Sequence, residues 1–235
     1  MIKLTERLKC LADQIEQNET MADIGTDHGF LPIYLWENEI SPKVIMADIS
    51  AGSLEKARCN CEELYPGVAF DLRLGNGIQI LENGEVDAVV IAGMGGKLMT
   101  QILEEDMEKT RSIGKLIMQP RNGQGKLRYW LIKNGFSIVK ESLVREGKYI
   151  CEIITAVPEM VDNNISYEID GCDKNSMEYE TPPWIVTAGE LAEPFIQNKI
   201  KIEEYALSGI LKAEIIDEER EAVTRARIEY LKSLL

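Results

Sequence analysis

Short apolar runs alternate with helical patterns along most of this chain, and no other sequence feature restricts the fold as much. The apolar runs cover 21–24, 44–47, 68–72, 86–92 and 116–118, and the helical patterns between them cover 30–38, 50–64, 96–107 and 123–134. A strand, a helix and a second strand in succession form a crossover unit with parallel strands. The alternation therefore predicts an α/β fold with a mostly parallel, Rossmann-like sheet buried on both faces.

The order of elements changes after residue 135. Apolar runs at 136–144 and 149–157 are separated only by residues 145–148, which predicts an antiparallel hairpin at the edge of the sheet. An amphipathic helix is predicted at 4–16, before the first strand. These elements complete a first domain, predicted to span residues 1–157.

The rest of the chain, residues 158–235, is predicted to be a connector and a helical domain. Residues 158–185 are polar and end in Thr-Pro-Pro followed by Trp and Ile, which is typical of an irregular connector. Two amphipathic helical patterns follow from about Glu190 and predict an antiparallel, coiled-coil-like hairpin. Three roles of this hairpin are open: contact with a nucleic acid through local cations such as Lys199 and Arg225, self-association, and simple packing against the first domain.

The distribution of charge bears on the partner. The net charge of the 235 residues is −14, which argues against nucleic acid, but residues 109–148 carry ten basic and two acidic side chains. A basic face can hold phosphates on an otherwise acidic protein, although a solvated surface is the alternative. The charged N-terminus shows no secretory signal and no apolar run is long enough to cross a bilayer, so we expect a cytoplasmic protein without membrane contact.

A metal site is not predicted. The five cysteines have no C-x-x-C spacing, and His28 is the single histidine. Cys59 and Cys61 lie two apart on a predicted helix and should point in different directions. Reduced cysteines with a structural role are expected.

The first strand leads into a loop with two acidic residues and two glycines. Gly25 and Gly29 allow a tight turn and a close approach of a ligand to the backbone. Asp48 ends the second strand, where a carboxylate can accept hydrogen bonds from both ribose hydroxyls of a nucleoside. Nicotinamide dinucleotides and S-adenosylmethionine both contain such a ribose.

The charge of this loop separates the two ligands. A dinucleotide presents a pyrophosphate, which Asp23 and Asp27 would repel, whereas S-adenosylmethionine presents an ammonium and a sulfonium, which they attract. The G-x-G-x-x-G pattern of dinucleotide-binding loops is also absent. S-adenosylmethionine is therefore the predicted cofactor, and a nicotinamide-dependent oxidoreductase is the less favoured alternative.

Three further turns should meet the loop at the same edge of the sheet. Asn76, between two glycines after the third strand, could accept a hydrogen bond from an adenine amino group, or could belong to a plain turn. Residues 91–97, after the fourth strand, contain three glycines and lack the Asn/Asp-Pro-Pro-aromatic motif of many amino-methylating enzymes. The fifth strand ends in residues 119–121, Gln-Pro-Arg, beside a basic helix.

Residues 23–29, 91–96 and 119–121 together resemble the bacterial TrmK family, whose members methylate N1 of adenine-22 in the D-arm region of tRNA. The resemblance covers the whole chain, including the C-terminal helical pair. One departure is Asn76, where the family is expected to have an aspartate. The resemblance implies a class I, S-adenosylmethionine-dependent tRNA (adenine-N1)-methyltransferase with tRNA as its partner.

These observations predict three sets of site residues. Residues predicted to bind the cofactor are Asp23, Gly25, Asp27, Gly29, Asp48, Asn76, Gly77 and Gly93. Residues predicted to face the reacting centre as catalytic residues are Asp27, His28, Met94, Gly95 and Gln119. Residues predicted to bind RNA are Arg121, Lys126, Arg128 and Lys133.

No strong base is required, because N1 of neutral adenine has a free lone pair. The protein would have to orient the two reactants and expose the base. His28 has a second interpretation as a hydrogen-bonded turn residue. The alternatives for the whole chain are a methyltransferase acting on another RNA base, a small molecule or a protein, and a non-catalytic RNA-binding module on the same fold.

Overall fold

A seven-stranded sheet forms the centre of the computed structural model, which describes residues 2–159, 161–169, 171–213 and 215–235. The strands are β1 (Met21–Ile24), β2 (Val44–Asp48), β3 (Asp71–Leu74), β4 (Ala88–Gly95), β5 (Lys115–Asn122), β6 (Ser137–Glu146) and β7 (Tyr149–Val157). Their order is β3-β2-β1-β4-β5-β7-β6. Strands β1 to β5 are parallel, and β7 is antiparallel to β5 and β6. The predicted Rossmann-like sheet with an antiparallel hairpin at its edge is confirmed.

The helices cover both faces of the sheet and continue into the C-terminal part. They are α1 (Glu6–Ala12), α2 (Phe30–Glu37), α3 (Ala51–Leu64), α4 (Gly96–Glu104), α5 (Met107–Ser112), α6 (Gln124–Lys133), α7 (Met177–Glu180), α8 (Ala192–Leu211) and α9 (Glu218–Ser233). Short 3-10 turns lie at Gly77–Ile80, Ser166–Ile169 and Pro183–Thr187. None of the described helices is long and apolar enough to cross a membrane.

Among the element boundaries that differ from the sequence prediction, two have clear local reasons. The helix predicted at 96–107 is divided, because the side chain of Asp106 accepts a hydrogen bond from the backbone N–H of Lys109 and starts a new helix. The third strand starts at Asp71 rather than at Val68, because the N–H of Val68 donates to the carbonyl of Tyr65 and closes a turn after α3.

The parallel register brings the ends of the central strands to one edge. Ile24, the last residue of β1, lies between Ala47 of β2 and Ile91 of β4. All four residues of β1 are buried, as expected for the central strand of a sheet covered on both faces. The loops that follow β1, β2 and β4 therefore surround one point at the carboxyl edge of the sheet.

The C-terminal part packs against this sheet through the connector. Helices α8 and α9 form the predicted hairpin, with Phe195, Ile196 and Leu231 in its core. The connector, predicted to be merely irregular, also buries Tyr179 and Trp184, and the hydroxyl of Tyr230 donates to the carbonyl of Thr181 at 2.7 Å. The described part of the connector is thus packed rather than loose, with Tyr179 and Trp184 against α6 and Thr181 bonded to α9.

Candidate active site

A cavity of about 540 Å³ opens at the carboxyl edge of the sheet, between the ends of β1, β2 and β4. Ten of the predicted site residues line it: Asp23, Gly25, Asp27, His28, Asp48, Asn76, Gly77, Gly93, Met94 and Arg121. Six others, Gly29, Gly95, Gln119, Lys126, Arg128 and Lys133, are not among its lining residues. The folded chain thus brings together residues that are nearly a hundred positions apart.

Asp23 is the acidic group at the floor of this cavity. It is the third residue of β1, and only 7% of its surface is exposed. Burial raises the pKa of Asp23 from its ordinary 3.8 to about 6, although the side chain of Thr26 and the charge of Arg7 oppose the rise. A buried carboxylate that opens onto a cavity is a complementary site for a cation.

The loop after β1 adopts left-handed backbone conformations that permit close contacts. Gly25 has φ +82°, and a Cβ atom there would lie 2.2 Å from the Cε of Met94. The N–H groups of Gly25 and Thr26 both donate to the carbonyl of Ala47, which fixes the loop to the end of β2. Gly25 therefore allows the β1 and β4 turns to meet at the cavity wall.

Gly29 lies behind this loop and not on the cavity surface. A Cβ atom at Gly29 would lie 2.9 Å from the Sδ of Met46 and 3.2 Å from the Cβ of Ala57. Gly29 has a φ of +71° and is the N-cap residue of α2. Gly29 supports the loop by packing, and the predicted direct contact with a cofactor has no basis in its position.

Asp48 is held at the end of β2 by two backbone donors. Its Oδ1 accepts from the N–H of Ser50 at 2.8 Å, and its Oδ2 accepts from the N–H of Asp27 at 3.4 Å. A carboxylate has about four acceptor positions, so those not used by the backbone can accept hydroxyl groups. The ribose role predicted for Asp48 stays a prediction.

Asp27 and His28 lie at the rim of the cavity. Asp27 has φ +47°, and its carboxylate lies 3.1 Å from the Nζ of Lys56 and 3.4 Å from the Nε2 of His28. The imidazole of His28 stacks on Phe30 with ring centroids 5.4 Å apart. All of these side chains are exposed, so the charge of Asp27 is already paired and its attraction for a bound cation is weaker than that of Asp23.

The loop after β3 forms the end of the cavity furthest from β4. The Nδ2 of Asn76 donates to the Oε2 of Glu105 at 2.9 Å, which leaves the amide oxygen as an acceptor, as predicted for an adenine contact. Gly77 is buried, and a Cβ atom there would lie 2.7 Å from the Cγ2 of Ile102, which also lines the cavity.

Gln119 supports the turn after β4 from behind. It is buried, and its Oε1 accepts from the N–H of Gly93 at 3.2 Å and from the Nη1 of Arg7 at 3.4 Å. Gly95 precedes α4, and a Cβ atom there would lie 2.9 Å from the Oδ1 of Asn122. Both residues shape the turn without lining the cavity, although a position facing the reacting centre was predicted for them.

The predicted RNA-binding residues separate into different environments. Arg121 is exposed at the cavity rim, and Lys126 is exposed in the first turn of α6. Lys133 is exposed in the last turn of α6, which runs back towards the other edge of the sheet, and seven residues of helix place it about 10 Å further along the axis. Only Arg121 and Lys126 remain close to the carboxyl edge.

The prediction that Arg128 binds RNA is wrong. Its side chain is completely buried and lies 2.7 Å from Glu141 and 2.5 Å from Glu152. Its Nη1 also donates to the carbonyls of Tyr179 and Glu180, at 2.9 and 3.2 Å. Arg128 therefore joins α6 to the hairpin strands and the connector.

The sequence stretch 109–148 does not form a single basic face either. Lys115 lies 2.6 Å from Glu19, and Lys109 donates to the carbonyl of Gln79 at 3.2 Å. The reason is that α5, β5 and α6 direct successive side chains to different faces, some of them into the fold. A charge count along the sequence cannot show this distribution.

Sequence reasoning missed the wall that α1 contributes. Arg7, Leu8 and Leu11 line the cavity, and the guanidinium of Arg7 lies 2.8 Å from Glu146 of β6. The apolar stripe of α1 was visible in the sequence, but nothing local indicated which cavity the helix would cover. Lys97, exposed in the first turn of α4, was likewise given no role.

These groups fit a cationic nucleoside derivative. Asp48 and the amide oxygen of Asn76 present hydrogen-bond acceptors to the cavity, and the buried Asp23 favours a positive group between β1 and β4. A pyrophosphate would face the carboxylates of Asp23 and Asp48, which would repel it. Within the described residues, no group of three or more His, Cys, Asp or Glu side chains is placed to hold a metal ion.

Comparisons with known proteins agree with this geometry. Residues 4–154 match the family described as "Methyltransferase domain". The chain is 33% identical over 167 residues to a tRNA (adenine(22)-N(1))-methyltransferase of Bacillus subtilis, covering 71% of this chain and 69% of the relative.

Solved structures resemble the chain over its full length. The B. subtilis m1A22 tRNA methyltransferase TrmK superposes with a TM-score of 0.84 at 27% identity, covering 100% of this chain and 99% of that one. A Streptococcus pneumoniae protein, provisionally named a tRNA (m1A22) methyltransferase and solved with S-adenosyl-L-methionine, has a TM-score of 0.83 at 27% identity over 99% and 100% of the two chains.

Proposed function

We propose that this chain transfers a methyl group from S-adenosylmethionine to N1 of adenine-22 in tRNA. The premise is that the chain belongs to the TrmK-like family of tRNA (adenine-22-N1)-methyltransferases. The observation that carries the proposal is the cavity at the carboxyl edge, where a buried carboxylate faces a nucleoside-sized space. Family membership supplies the identity of the RNA base, which the cavity alone does not specify.

Each part of the cavity has a role towards the methyl donor. Bound S-adenosylmethionine would supply an electrophilic methyl group on a sulfonium. Asp23 attracts its ammonium, Asp48 accepts hydrogen bonds from its ribose hydroxyls, and Asn76 accepts one from its adenine amino group. Gly25 leaves room for the side chain of Met94, and Gly93 adds no side chain of its own to the wall.

The protein positions the target base, and the reaction requires no proton transfer by a side chain. Nitrogen N1 attacks the methyl carbon in line, a new N–C bond forms as the S–C bond breaks, and the positive charge passes to the adenine. The reaction therefore needs alignment and removal of water more than acid–base catalysis. Met94 and the turn at Gly93 border the space for the base, and Arg121 at the rim can hold its phosphate.

The proposal extends to partners and organisation. Residues 1–157 would form the catalytic domain and residues 158–235 the connector and helical domain that steadies the RNA. With tRNA as the substrate, we place the enzyme in the cytoplasm. Self-association through α8 and α9 stays a prediction.

The direct test is incubation with S-adenosylmethionine and unmodified tRNA, followed by mass spectrometry of the nucleosides. The expected product is 1-methyladenosine, and bulk protein should gain no methyl groups. A different methylated nucleoside, methylated protein or a small-molecule product would each reject the proposed substrate. A chain that binds S-adenosylmethionine and tRNA without any transfer would instead indicate an RNA-binding module.

A further inference from the structure

Arg7 is the positively charged group at the end of the cavity opposite Asn76. It belongs to α1, and its side chain is only 19% exposed. Its guanidinium contacts Glu146 of β6 at 2.8 Å and Gln119 of β5 at 3.4 Å. In the sheet order, β5 lies beyond β4, whereas Asn76 follows β3 at the other side. Arg7 therefore closes the cavity on the β4–β5 side.

The order of polar groups along the cavity matches the order of groups in the methyl donor. Asn76 follows β3, Asp48 ends β2, and Asp23 lies in β1. With adenine at Asn76 and ribose at Asp48, the amino-acid tail must extend past β1 towards β4 and β5. The tail carries an ammonium and a carboxylate, and Asp23 can bind only the first of these.

The carboxylate needs a cation at that end. Two arginines line the cavity, Arg7 and Arg121. Arg121 is exposed at the rim, beside the turn at Gly93 where the target base must enter. Arg7 is close enough to Asp23 for its charge to lower the pKa of that carboxyl. A guanidinium beside a carboxylate forms a pair of sites for a zwitterion.

We infer that Arg7 binds the carboxylate of the methyl donor and that α1 forms the closing wall of the cofactor site. This inference rests on the proposed function and adds a binding residue to it. Leu8 and Leu11 of the same helix line the cavity beside Arg7, so binding of the ligand would also hold α1 in place.

The guanidinium has enough donors for this second partner. Arginine has five N–H groups, and two of them are directed to Glu146 and Gln119. The contact with Gln119 is long at 3.4 Å. It is the contact that a stronger acceptor would replace.

The test is a comparison of two ligands by titration calorimetry. S-adenosylhomocysteine carries both the ammonium and the carboxylate, and its decarboxylated analogue keeps only the amine. The wild-type chain should bind S-adenosylhomocysteine more tightly by about 10- to 100-fold, the range for a hydrogen bond to a charged group. Arg7→Met should lose this preference, and Arg7→Lys should keep part of it.

The matched control is Glu146→Gln, which removes the protein partner of Arg7 and leaves the arginine in place. This variant should keep the wild-type preference for the carboxylate. If Arg7→Met keeps the preference, or if Glu146→Gln loses it equally, Arg7 has only a structural role and the inference is wrong. Thermal unfolding of each variant verifies that it is folded. A wild-type chain that binds neither ligand would reject the proposed function itself.

Discussion

Asp23 is the residue whose charge state controls the cavity. Its pKa of about 6 lies inside the range in which the enzyme can be assayed. Above this value the carboxylate is ionised and attracts a cation, and below it the group is neutral. Asp48 and Arg7 line the same cavity.

We expect the affinity for S-adenosylhomocysteine to fall as the pH decreases through 6. At pH 5 only about one tenth of Asp23 would be ionised, so the dissociation constant should be about tenfold higher than at pH 8. Asp23→Asn should bind weakly at both values. Calorimetry at pH 5 and pH 8 measures this difference, and a wild-type affinity that is equal at both would contradict it.

The same carboxylate should reduce the stability of the ligand-free fold. Its pKa in the folded state lies above the ordinary 3.8, so the folded state binds the proton more tightly than the unfolded state does. The free energy of unfolding therefore decreases as the pH rises from about 4 to 6. Asp23→Asn should therefore raise the melting temperature of the ligand-free protein at pH 8 by a few degrees, while it removes cofactor binding. A lower melting temperature at pH 8 would show that ionised Asp23 is not destabilising.

Asp48 permits a second test at a single residue. Replacement by alanine removes the acceptor that two backbone N–H groups hold in place. Cofactor binding should weaken by about 1–3 kcal/mol, the value of hydrogen bonds to a charged group. Unchanged affinity by calorimetry would reject its ribose role.

Residues in turns were predictable where the local sequence determines the conformation. The positions of Gly25 and Asp48 beside a ligand were predicted from the ends of two strands and from elementary charge arguments. Arg7 and Gln119 were different, because their positions depend on the packing of distant elements. Arg7 comes from a helix more than 100 residues away from the strands that it contacts.

The buried ion pairs of Arg128 join several elements. One guanidinium connects α6 with β6, β7 and the connector, while Lys199 of α8 lies 2.9 Å from Glu180 of α7. Burial alone would lower the pKa of Arg128, but Glu141 and Glu152 outweigh it and hold that pKa above its usual range. The arginine therefore stays charged although it is buried.

Removal of this charge should destabilise the fold strongly. Arg128→Ala leaves two buried carboxylates without a partner, for which a loss of about 3–5 kcal/mol is typical. Chemical denaturation measures the loss, and Glu152→Gln is a milder variant if the first does not fold. Lys126→Ala, on the exposed side of the same helix, should leave the stability unchanged. Equal stability of both variants would show that the buried pairs are unimportant.

The close contact between the turns at Gly96 and Gly123 permits another test of stability. A Cβ atom at Gly96 would lie 2.4 Å from the carbonyl oxygen of Gly123, so Gly96→Ala must push the ends of β4 and β5 apart. We expect it to lower the melting temperature and the rate of methyl transfer. Gly52→Ala, in exposed α3, is the matched control. Its Cβ atom would lie 3.7 Å from the Oγ of Ser50, which is an ordinary contact, so the change should be neutral or slightly stabilising. Equal melting temperatures of the two variants would be the contrary result.

Elements with a strong apolar pattern were predictable to within a few residues. Strand β1 and helix α2 start where the sequence predicts, because buried runs and glycine turns define both ends. The connector was predictable only as irregular, since the burial of Tyr179 and Trp184 depends on their packing against α6, which lies far from them in the sequence. The periodicity of apolar residues shows which face of an element is apolar, but it does not show which other element will cover that face.

At the scale of the whole molecule, the proposed function requires a negatively charged protein to bind tRNA, which is itself a polyanion. The net charge is −14, so favourable phosphate contacts must come from a few local cations. Arg121 and Lys126 lie towards the carboxyl edge of the sheet, whereas Lys133 lies at the far end of α6. The fold therefore predicts that cations of one helix differ in importance.

We expect Arg121→Ala and Lys126→Ala to weaken tRNA binding and Lys133→Ala to have little effect. Each lost phosphate contact should reduce the slope of log affinity against log salt concentration by about one. Fluorescence anisotropy over a series of salt concentrations gives both quantities. A loss that is equal for all three variants would mean that the whole helix faces RNA, contrary to the position of Lys133.

The charge of a sequence segment was a poor guide at this scale. The stretch 109–148 has a net charge of +8, yet the fold uses Lys115 and Arg128 for internal ion pairs. The fold class and the methyl-donor site could be predicted, because both depend on strand order and on loops at one edge. The surface that binds RNA could not, because it depends on which side chains remain exposed.

The most direct measurement compares two tRNA transcripts that differ only at position 22. Each is incubated with the protein and S-adenosylmethionine and is then copied by reverse transcriptase, which a methyl group on N1 of adenine stops. The transcript with adenine-22 should produce a stop at that position, and the transcript with guanine-22 should produce none. Methylation at another position, or equal methylation of both transcripts, would contradict the proposed function.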